Sequence, residues 1–308
     1  APGAAVEVTI PEGSSPARIA AILDAEGVIG SARVFQIYTR LKGASGFKAG
    51  EYSFREDLAF SKVVDALREG PKQTFQRLTI PEGLTLKEIA ERVGRLPNRS
   101  AARFLEVAAS GTVRSKYQPA GSTNLEGLLF PDTYFVDAKD DEAAILQRLV
   151  ASFETMAAEV GLDDAMAEVG YSPYQTAVIA SLVEEEGKVD ADRPKIAQVI
   201  YNRLQKGMLL QIDATVIYAR GGQRREGGRV LFSDLEVDSP YNTYKVKGIP
   251  PTPIAAIGRT ALEAALAPEP GPWLFYVKFE KDGTHKFTTT LAEHNAAIRD
   301  TKRRGVNP

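Results

Sequence analysis

The sequence predicts an α+β protein in which two short β-α-α-β units precede a mixed helical and β-sheet body. Three observations predict this class: a strand–turn–helix motif that occurs twice near the start, two consecutive apolar helical stretches in the middle, and a hairpin signature near the end. The 308 residues, 44% hydrophobic and 25% charged, are enough for about two domains with substantial cores.

An internal repeat opens the chain, because Val8–Gly13 recurs as Leu78–Gly83. Each copy reads as a strand, a Pro-Glu-Gly turn and an amphipathic helix, followed by a second helix and a short strand that contains tyrosine. These second helices and closing strands are predicted at 32–41, 50–54, 101–109 and 129–136. The order resembles LysM, a small glycan-binding module. The alternative is a duplicated scaffold that binds nothing.

The stretch from 171 to 218 predicts two helices, the first of which ends in three consecutive glutamates. Ser172 and Pro173 are typical of a helix start. Glu184 lies above the small side chains of Ala180 and Ser181, away from the apolar stripe, so a groove beside the core is available to it. Burial there would favour the neutral carboxyl that a general acid needs. The alternative is that the three glutamates are solvated surface.

The segments after these glutamates predict a second helix and then rigid loops. Asp192 is a candidate N-cap for the second helix, and Asp213 for a further helix over 214–219. A Gly- and Arg-rich run at 220–238 is typical of a mobile loop. Prolines then exclude regular helix over 239–253. Tyrosine rings and side-chain amides on such loops suit sugar recognition, and a proline-stiffened core crossover is the alternative.

Composition narrows the function classes. The net charge of −2, from 38 basic and 40 acidic residues, argues against a nucleic-acid binder. The chain has no cysteine, which excludes disulfides and thiolate sites, and its two histidines lie far from any metal-like cluster. We therefore expect no metal and no cofactor. No apolar run approaches the ~18–20 residues needed to span a bilayer.

Four runs resemble the endolytic murein transglycosylase family, also called MltG or YceG-like proteins. They are LEGLLFPDTYFV at 125–136, IASLVEEE at 179–186, IAQVIYNRLQKGMLLQIDATVIYA at 196–219 and SPYNTYKVKGIPPTPIA at 239–255. Ala214 and Glu185 depart from the family pattern, which often has proline and a basic residue there. With this resemblance we expect a LysM-like module at 1–74, a second LysM-like repeat at 75–137 and a catalytic domain at 138–308.

The resemblance implies a lysozyme-like helix that carries Glu184 as the catalytic acid. It also implies a glycan cleft lined by Gln211, Asp213, Tyr218, Tyr241, Asn242 and Tyr244. The expected reaction is cleavage of the bond between N-acetylmuramic acid and N-acetylglucosamine within peptidoglycan strands, which leaves 1,6-anhydro ends. The alternatives are a muramidase-type hydrolase, with Asp213 as second carboxylate, and a non-catalytic peptidoglycan-binding scaffold.

The resemblance also implies partners and a location. Peptidoglycan strands would be the substrate, cleaved while they are nascent so that their elongation ends, and peptidoglycan synthases would be the protein partners. A single-pass anchor upstream of these residues would hold the protein in the inner (cytoplasmic) membrane, with the body on the extracytoplasmic, periplasmic side.

Overall fold

The structure is a computed structural model that describes residues 3–71, 75–222 and 230–306. Helices and small antiparallel sheets make up these residues, so the predicted α+β class is confirmed. The chain divides into two compact units, Ala1–Phe75 and Gln76–Pro308. Part of the run predicted as a mobile loop, 223–229, lies outside the described residues.

The first unit pairs one two-stranded sheet with three helices. Strand β1 (Ala5–Ile10) pairs antiparallel with β2 (Gly50–Arg55), so that Ala5 lies opposite Arg55. The helices are α1 (Pro16–Ala25), α2 (Ala32–Leu41) and α3 (Phe60–Glu69). A two-stranded sheet is marginally stable alone. The inward-facing side chains of both strands join the helices in one apolar core, which supplies the stability.

The second unit begins with the same order of elements, namely β3 (Gln76–Thr79), α4 (Leu86–Val93), α5 (Ala101–Ser110) and β4 (Thr133–Val136). Two details recur in both copies. The turn glycines have positive φ angles, 72° at Gly13 and 77° at Gly83, which glycine adopts without a steric penalty. The hydroxyls of Tyr52 and Tyr134 each donate to the carbonyl oxygen four residues earlier. The sequence repeat is therefore a repeat in structure.

The rest of the second unit surrounds α8 (Pro173–Glu186), whose side chains from 176 to 183 are all buried. A helix that is apolar all round belongs in a core, and α8 packs against α9 (Arg193–Gln205) and α11 (Arg259–Leu266). The other elements are α6 (Glu142–Glu159), α7 (Ala165–Val169), α9 (Arg193–Gln205), α10 (Asp213–Ala219), α11 (Arg259–Leu266), β5 (Phe275–Lys278), β6 (His285–Thr288) and α12 (Leu291–Arg303). The predicted C-terminal hairpin is the antiparallel pair β5–β6.

The two aspartates predicted as N-caps serve tertiary contacts instead. Asp192 precedes α9 without capping it, and its Oδ2 accepts hydrogen bonds from the backbone N–H of His285 (2.6 Å) and lies 3.1 Å from that ring's Nδ1. Asp213 is the first residue of α10, and its Oδ1 accepts from the hydroxyl of Tyr244. Local capping rules miss such uses because the partners are distant in sequence.

The expectation of a single-pass membrane protein is wrong for this structure. In the part of the chain that the structure describes, no helix combines the length and the apolar character that a bilayer crossing requires.

Candidate active site

The three glutamates at the end of α8 have three different surroundings, because successive helical residues are rotated by about 100°. Glu184 turns toward α9, Glu185 toward a cleft beside the second repeat, and Glu186 toward the C-terminal hairpin. The three carboxyl groups therefore have different hydrogen-bond partners and different access to a substrate.

Glu184 forms a buried ion pair. The guanidinium of Arg193 donates to both carboxylate oxygens, at 3.1 Å and 3.0 Å, and the backbone N–H of Gly258 donates to Oε2 at 2.8 Å. Only 4% of the Glu184 side chain and 8% of the Arg193 side chain are exposed. A buried charge is stable only if it is paired and hydrogen-bonded, and Glu184 meets both conditions.

Two further carboxylates surround the same guanidinium. Glu82, from the Pro-Glu-Gly turn of the second repeat, lies 3.9 Å from Arg193, and Asp190 lies 3.1 Å from its Nε. Burial and the charge of Glu184 raise the pKa of Glu82, and Arg193 partly offsets this. The second repeat thus contributes a side chain to the cluster at the end of α8.

The groove expected above Ala180 and Ser181 is filled by the proline-rich loop. The hydroxyl of Ser181 accepts the backbone N–H of Ile254 at 3.1 Å. The loop then approaches so closely that a β-carbon at Gly258 would overlap the carboxylate of Glu82. Chain segments distant in sequence therefore occupy the space that small side chains leave beside Glu184.

Glu185 borders a solvent-open cleft, which Thr85, Tyr218 and Ile254 also line. The ring of Tyr218 lies 4.8 Å from that of Tyr241, centroid to centroid. These two tyrosines, both predicted to contact glycan, therefore form one aromatic pair at the cleft.

Glu126 lies beneath this aromatic pair. Its buried carboxyl accepts the hydroxyl of Tyr218 at 3.0 Å and the backbone N–H of Leu86 at 2.8 Å. Burial raises the pKa of Glu126 to about 7, although both hydrogen bonds act in the opposite direction. Glu126 thereby joins α10 to the start of α4.

Glu186 belongs to a polar cluster with two tyrosines. The hydroxyl of Tyr276, on β5, donates to its Oε2 at 3.1 Å. Burial, followed by the charge of Glu186, raises the pKa of Tyr276 well above its ordinary value, so the phenol stays a donor. Burial and the neighbouring Asp213 and Glu186 likewise raise the pKa of Tyr244. Asp213 is hydrogen-bonded to the Tyr244 hydroxyl, and Glu186 acts on that hydroxyl through its charge.

The segments predicted to line the cleft are joined to each other here. Tyr244 donates to the exposed Asp213 at 2.5 Å, and the backbone N–H of Gln211, which is exposed and has a φ of 54°, donates to the carbonyl of Thr243 at 3.1 Å. Asn242, in contrast, is fully buried. Its amide donates to two backbone carbonyls and accepts the N–H of Tyr244. Through these hydrogen bonds Asn242 holds the loop together.

The structure adds residues that the sequence analysis did not select. Arg193, Glu82 and Tyr276 become neighbours of the glutamates only through tertiary packing. The pair of Asp192 and His285, each with 9% of its side chain exposed, ties the β5–β6 hairpin to the turn before α9. In the sequence, Glu82 is marked only by its place in the Pro-Glu-Gly turn of the repeat.

Comparisons with known proteins show which proteins the chain is similar to. A family model described as the YceG-like family matches residues 8–300. A protein of Bacillus subtilis named endolytic murein transglycosylase is 37% identical over 95% of this chain and 83% of its own length. A Streptococcus pneumoniae protein of the same name is 29% identical, and the match covers 95% of this chain but only 58% of that protein.

The fold also matches a solved structure. The crystal structure of a yceG-like protein of Listeria monocytogenes superposes with a TM-score of 0.64 at 34% sequence identity, covering 96% of this chain and 99% of the Listeria chain. Sequence and fold therefore point to the same group of proteins.

Proposed function

The chain belongs to the YceG-like family, and we propose that it cleaves the bond between N-acetylmuramic acid and N-acetylglucosamine inside peptidoglycan strands, as a lytic transglycosylase. The enzyme class predicted from the sequence is confirmed by the curated relatives that carry the name endolytic murein transglycosylase. The observation that carries the mechanism is the hydrogen bond from the Tyr276 hydroxyl to the half-buried carboxyl of Glu186 at the end of α8.

We propose Glu186 as the acid, although the family resemblance pointed to Glu184. Both oxygens of Glu184 are engaged by Arg193, so protonating it would leave a buried guanidinium without its main partner. Glu186 is half-buried and accepts a hydrogen bond from the Tyr276 hydroxyl. After burial and Asp213, its charge is a further cause of the raised pKa of Tyr244. A half-buried carboxyl can keep its contacts with the protein and still reach the oxygen of a bound sugar. A proton-transfer group must be within hydrogen-bond reach of the atom it protonates.

The proposed reaction needs no water. Glu186 gives its proton to the glycosidic oxygen, and the bond from that oxygen to C1 of the muramic sugar breaks. The C6 hydroxyl of the same sugar attacks C1 and closes the 1,6-anhydro ring, while the Glu186 carboxylate takes up the hydroxyl proton. One residue suffices because the nucleophile belongs to the substrate. Hydrolysing glycosidases use two carboxylates. Acid–base catalysis of this kind contributes about 10²–10⁴-fold.

A hydrolase is the second candidate function, and one contact favours it. Tyr244 donates to Asp213, and the charge of Glu186 also acts on this phenol, so two carboxyl groups influence the same hydroxyl. In that mechanism Asp213 would activate water or shield the oxocarbenium-like sugar. Digestion of purified sacculi in heavy-oxygen water separates the two reactions. The lyase gives unlabelled 1,6-anhydro ends, and the hydrolase gives reducing ends that carry the label.

Three single substitutions test the choice of acid. We expect Glu186→Gln to lose cleavage by about 10²-fold or more while it stays folded. Glu185→Gln is the matched control on the neighbouring helical position, and we expect it to retain most activity. A folded, inactive Glu184→Gln beside an active Glu186→Gln would return the role to Glu184. If all three remain active, the acid does not lie on α8.

The finer parts of the function are also proposals. We propose that the two β-α-α-β units are LysM-like and bind glycan strands. Binding of the inactive Glu186→Gln protein to purified sacculi would measure this affinity. Competition by soluble glycan oligomers should release the protein. We further propose that cleavage acts on nascent strands beside peptidoglycan synthases and ends their elongation. Adding the enzyme to a polymerisation reaction should then shorten the glycan products, and Glu186→Gln should not.

A further inference from the structure

Helix α2 of the first unit presents an apolar stripe to solvent. Val34 and Ile37 are each 52% exposed, and Leu41 is 81% exposed. At about 100° per residue these three side chains fall within about 60° of the helix circumference. The opposite face of α2, with Phe35 and Thr39, is buried in the core of the unit. The three exposed side chains therefore do not belong to the apolar face that packs into the core.

The second repeat shows that the fold does not need this stripe. Helix α5 matches α2 in length, in its serine N-cap and in a buried phenylalanine four residues after the cap. Aligned on the caps, the stripe positions of α5 hold Arg103, Glu106 and Ser110. Arg103 and Glu106 form an exposed ion pair at 2.9 Å, with 58% and 68% of their side chains exposed. The same outward face is thus polar in one copy and apolar in the other.

Basic residues predominate in the stretch of sequence that carries the stripe. Residues 31–48 contain four basic side chains, Arg33, Arg40, Lys42 and Lys48, and no acidic one. The remaining residues of 3–71 include nine acidic and only four basic side chains. On the helical wheel Arg33 and Arg40 directly follow Ile37 on one side of the stripe. A partner for this face should therefore offer an apolar phase bordered by negative charge.

We propose that α2 binds the surface of an anionic lipid bilayer. The apolar stripe would enter the boundary between headgroups and acyl chains, and Arg33 and Arg40 would contact the lipid phosphates. This is contact with one face of a bilayer, and no segment crosses it. A glycan would instead call for exposed aromatic rings and amides, which the stripe lacks. The combination of exposed aliphatic side chains and flanking cations is typical of helices that lie at a lipid surface.

The experiment is cosedimentation of the full chain with vesicles of phosphatidylcholine, either alone or mixed with phosphatidylglycerol. We expect binding to the mixed vesicles that weakens as salt rises, because the Debye length shrinks. Arg33→Gln combined with Arg40→Gln should weaken that binding about tenfold or more. The triple variant Val34→Ser, Ile37→Ser and Leu41→Ser should weaken it at least as strongly.

The matched control replaces exposed apolar residues elsewhere. Met166 and Leu291 are 58% and 57% exposed, and Met166→Ser with Leu291→Ser should bind vesicles like the wild type. Thermal unfolding of each variant checks folding, which we expect to be unchanged at these exposed positions. Absence of wild-type binding to anionic vesicles overturns the proposal, as does full binding by the triple variant. Self-association that the triple variant abolishes, without vesicle binding, would overturn it in favour of a second copy of the chain.

Discussion

Replacing Glu126 by glutamine should make the second unit less sensitive to pH. In the folded protein, burial raises the pKa of this carboxyl to about 7, and in an unfolded chain its ordinary value is 4.5. The difference of about 2.5 corresponds to about 3 kcal/mol, at about 1.36 kcal/mol per pKa unit. Glutamine keeps an acceptor for the backbone N–H of Leu86 and can still pair with Tyr218, but it cannot ionise.

The sign follows from proton binding. Below pH 4.5 the Glu126 carboxyl is protonated in both the folded and the unfolded state. Between pH 4.5 and about 7 the unfolded chain releases the proton first, so the free energy of unfolding falls as pH rises. Above about 7 both states are ionised, and the loss is complete. The stability of Glu126→Gln relative to wild type should therefore increase by about 3 kcal/mol from pH 4.5 to 8.

Urea unfolding followed by tryptophan fluorescence measures this quantity, because Trp273 is the only tryptophan of the chain and lies in the second unit. The difference between the two proteins at each pH cancels the titration of all other groups. Glu168→Gln, on an exposed position of α7, is the matched control. A difference between wild type and Glu126→Gln that stays constant over this pH range would refute the assignment of a raised pKa to Glu126.

Three further substitutions test the contacts around α8. Glu184→Gln should lower the free energy of unfolding by about 3 kcal/mol, because it leaves Arg193 buried without its bidentate partner, and a double-mutant cycle with Arg193→Gln should show strong coupling. Additive effects in that cycle would contradict the ion pair. Gly258→Ala should lower the melting temperature, since the new β-carbon would lie 3.0 Å from Oε2 of Glu184, and an unchanged melting curve would argue against this close approach. Tyr276→Phe should lower kcat about tenfold with little change in KM, because only the hydrogen bond to the proposed acid is lost. Wild-type kcat in steady-state assays would remove this tyrosine from the mechanism.

Much of the fold could be predicted because its determinants are local. The start of α8 follows from Ser172 and Pro173, and the structure completes the capping box there with Gln175. The repeat was visible from its Pro-Glu-Gly turns, whose glycines adopt positive φ. The hairpin followed from alternating residues around a turn. In each case the residues that decide the structure lie within a few positions of one another.

The roles of the three glutamates could not be predicted in this way. Glu184 is fixed by Arg193, nine residues later, and by Gly258, 74 residues later, and Glu186 is fixed by Tyr276, 90 residues later. Helical spacing gives the direction of each side chain but not what it meets. Asn242 shows the same limit, since its amide binds backbone groups of its own loop. A residue type suited to sugar recognition is equally suited to holding a turn together.

The two repeat copies have diverged at corresponding positions. In the second copy the turn glutamate, Glu82, approaches Arg193, and Leu86 donates to Glu126 beside the cleft, so this copy helps to form the site. In the first copy the corresponding Glu12 is exposed, and the apolar stripe lies on α2 instead. The divergence therefore supports separate tasks, catalysis for the body that includes the second copy and surface attachment for the first.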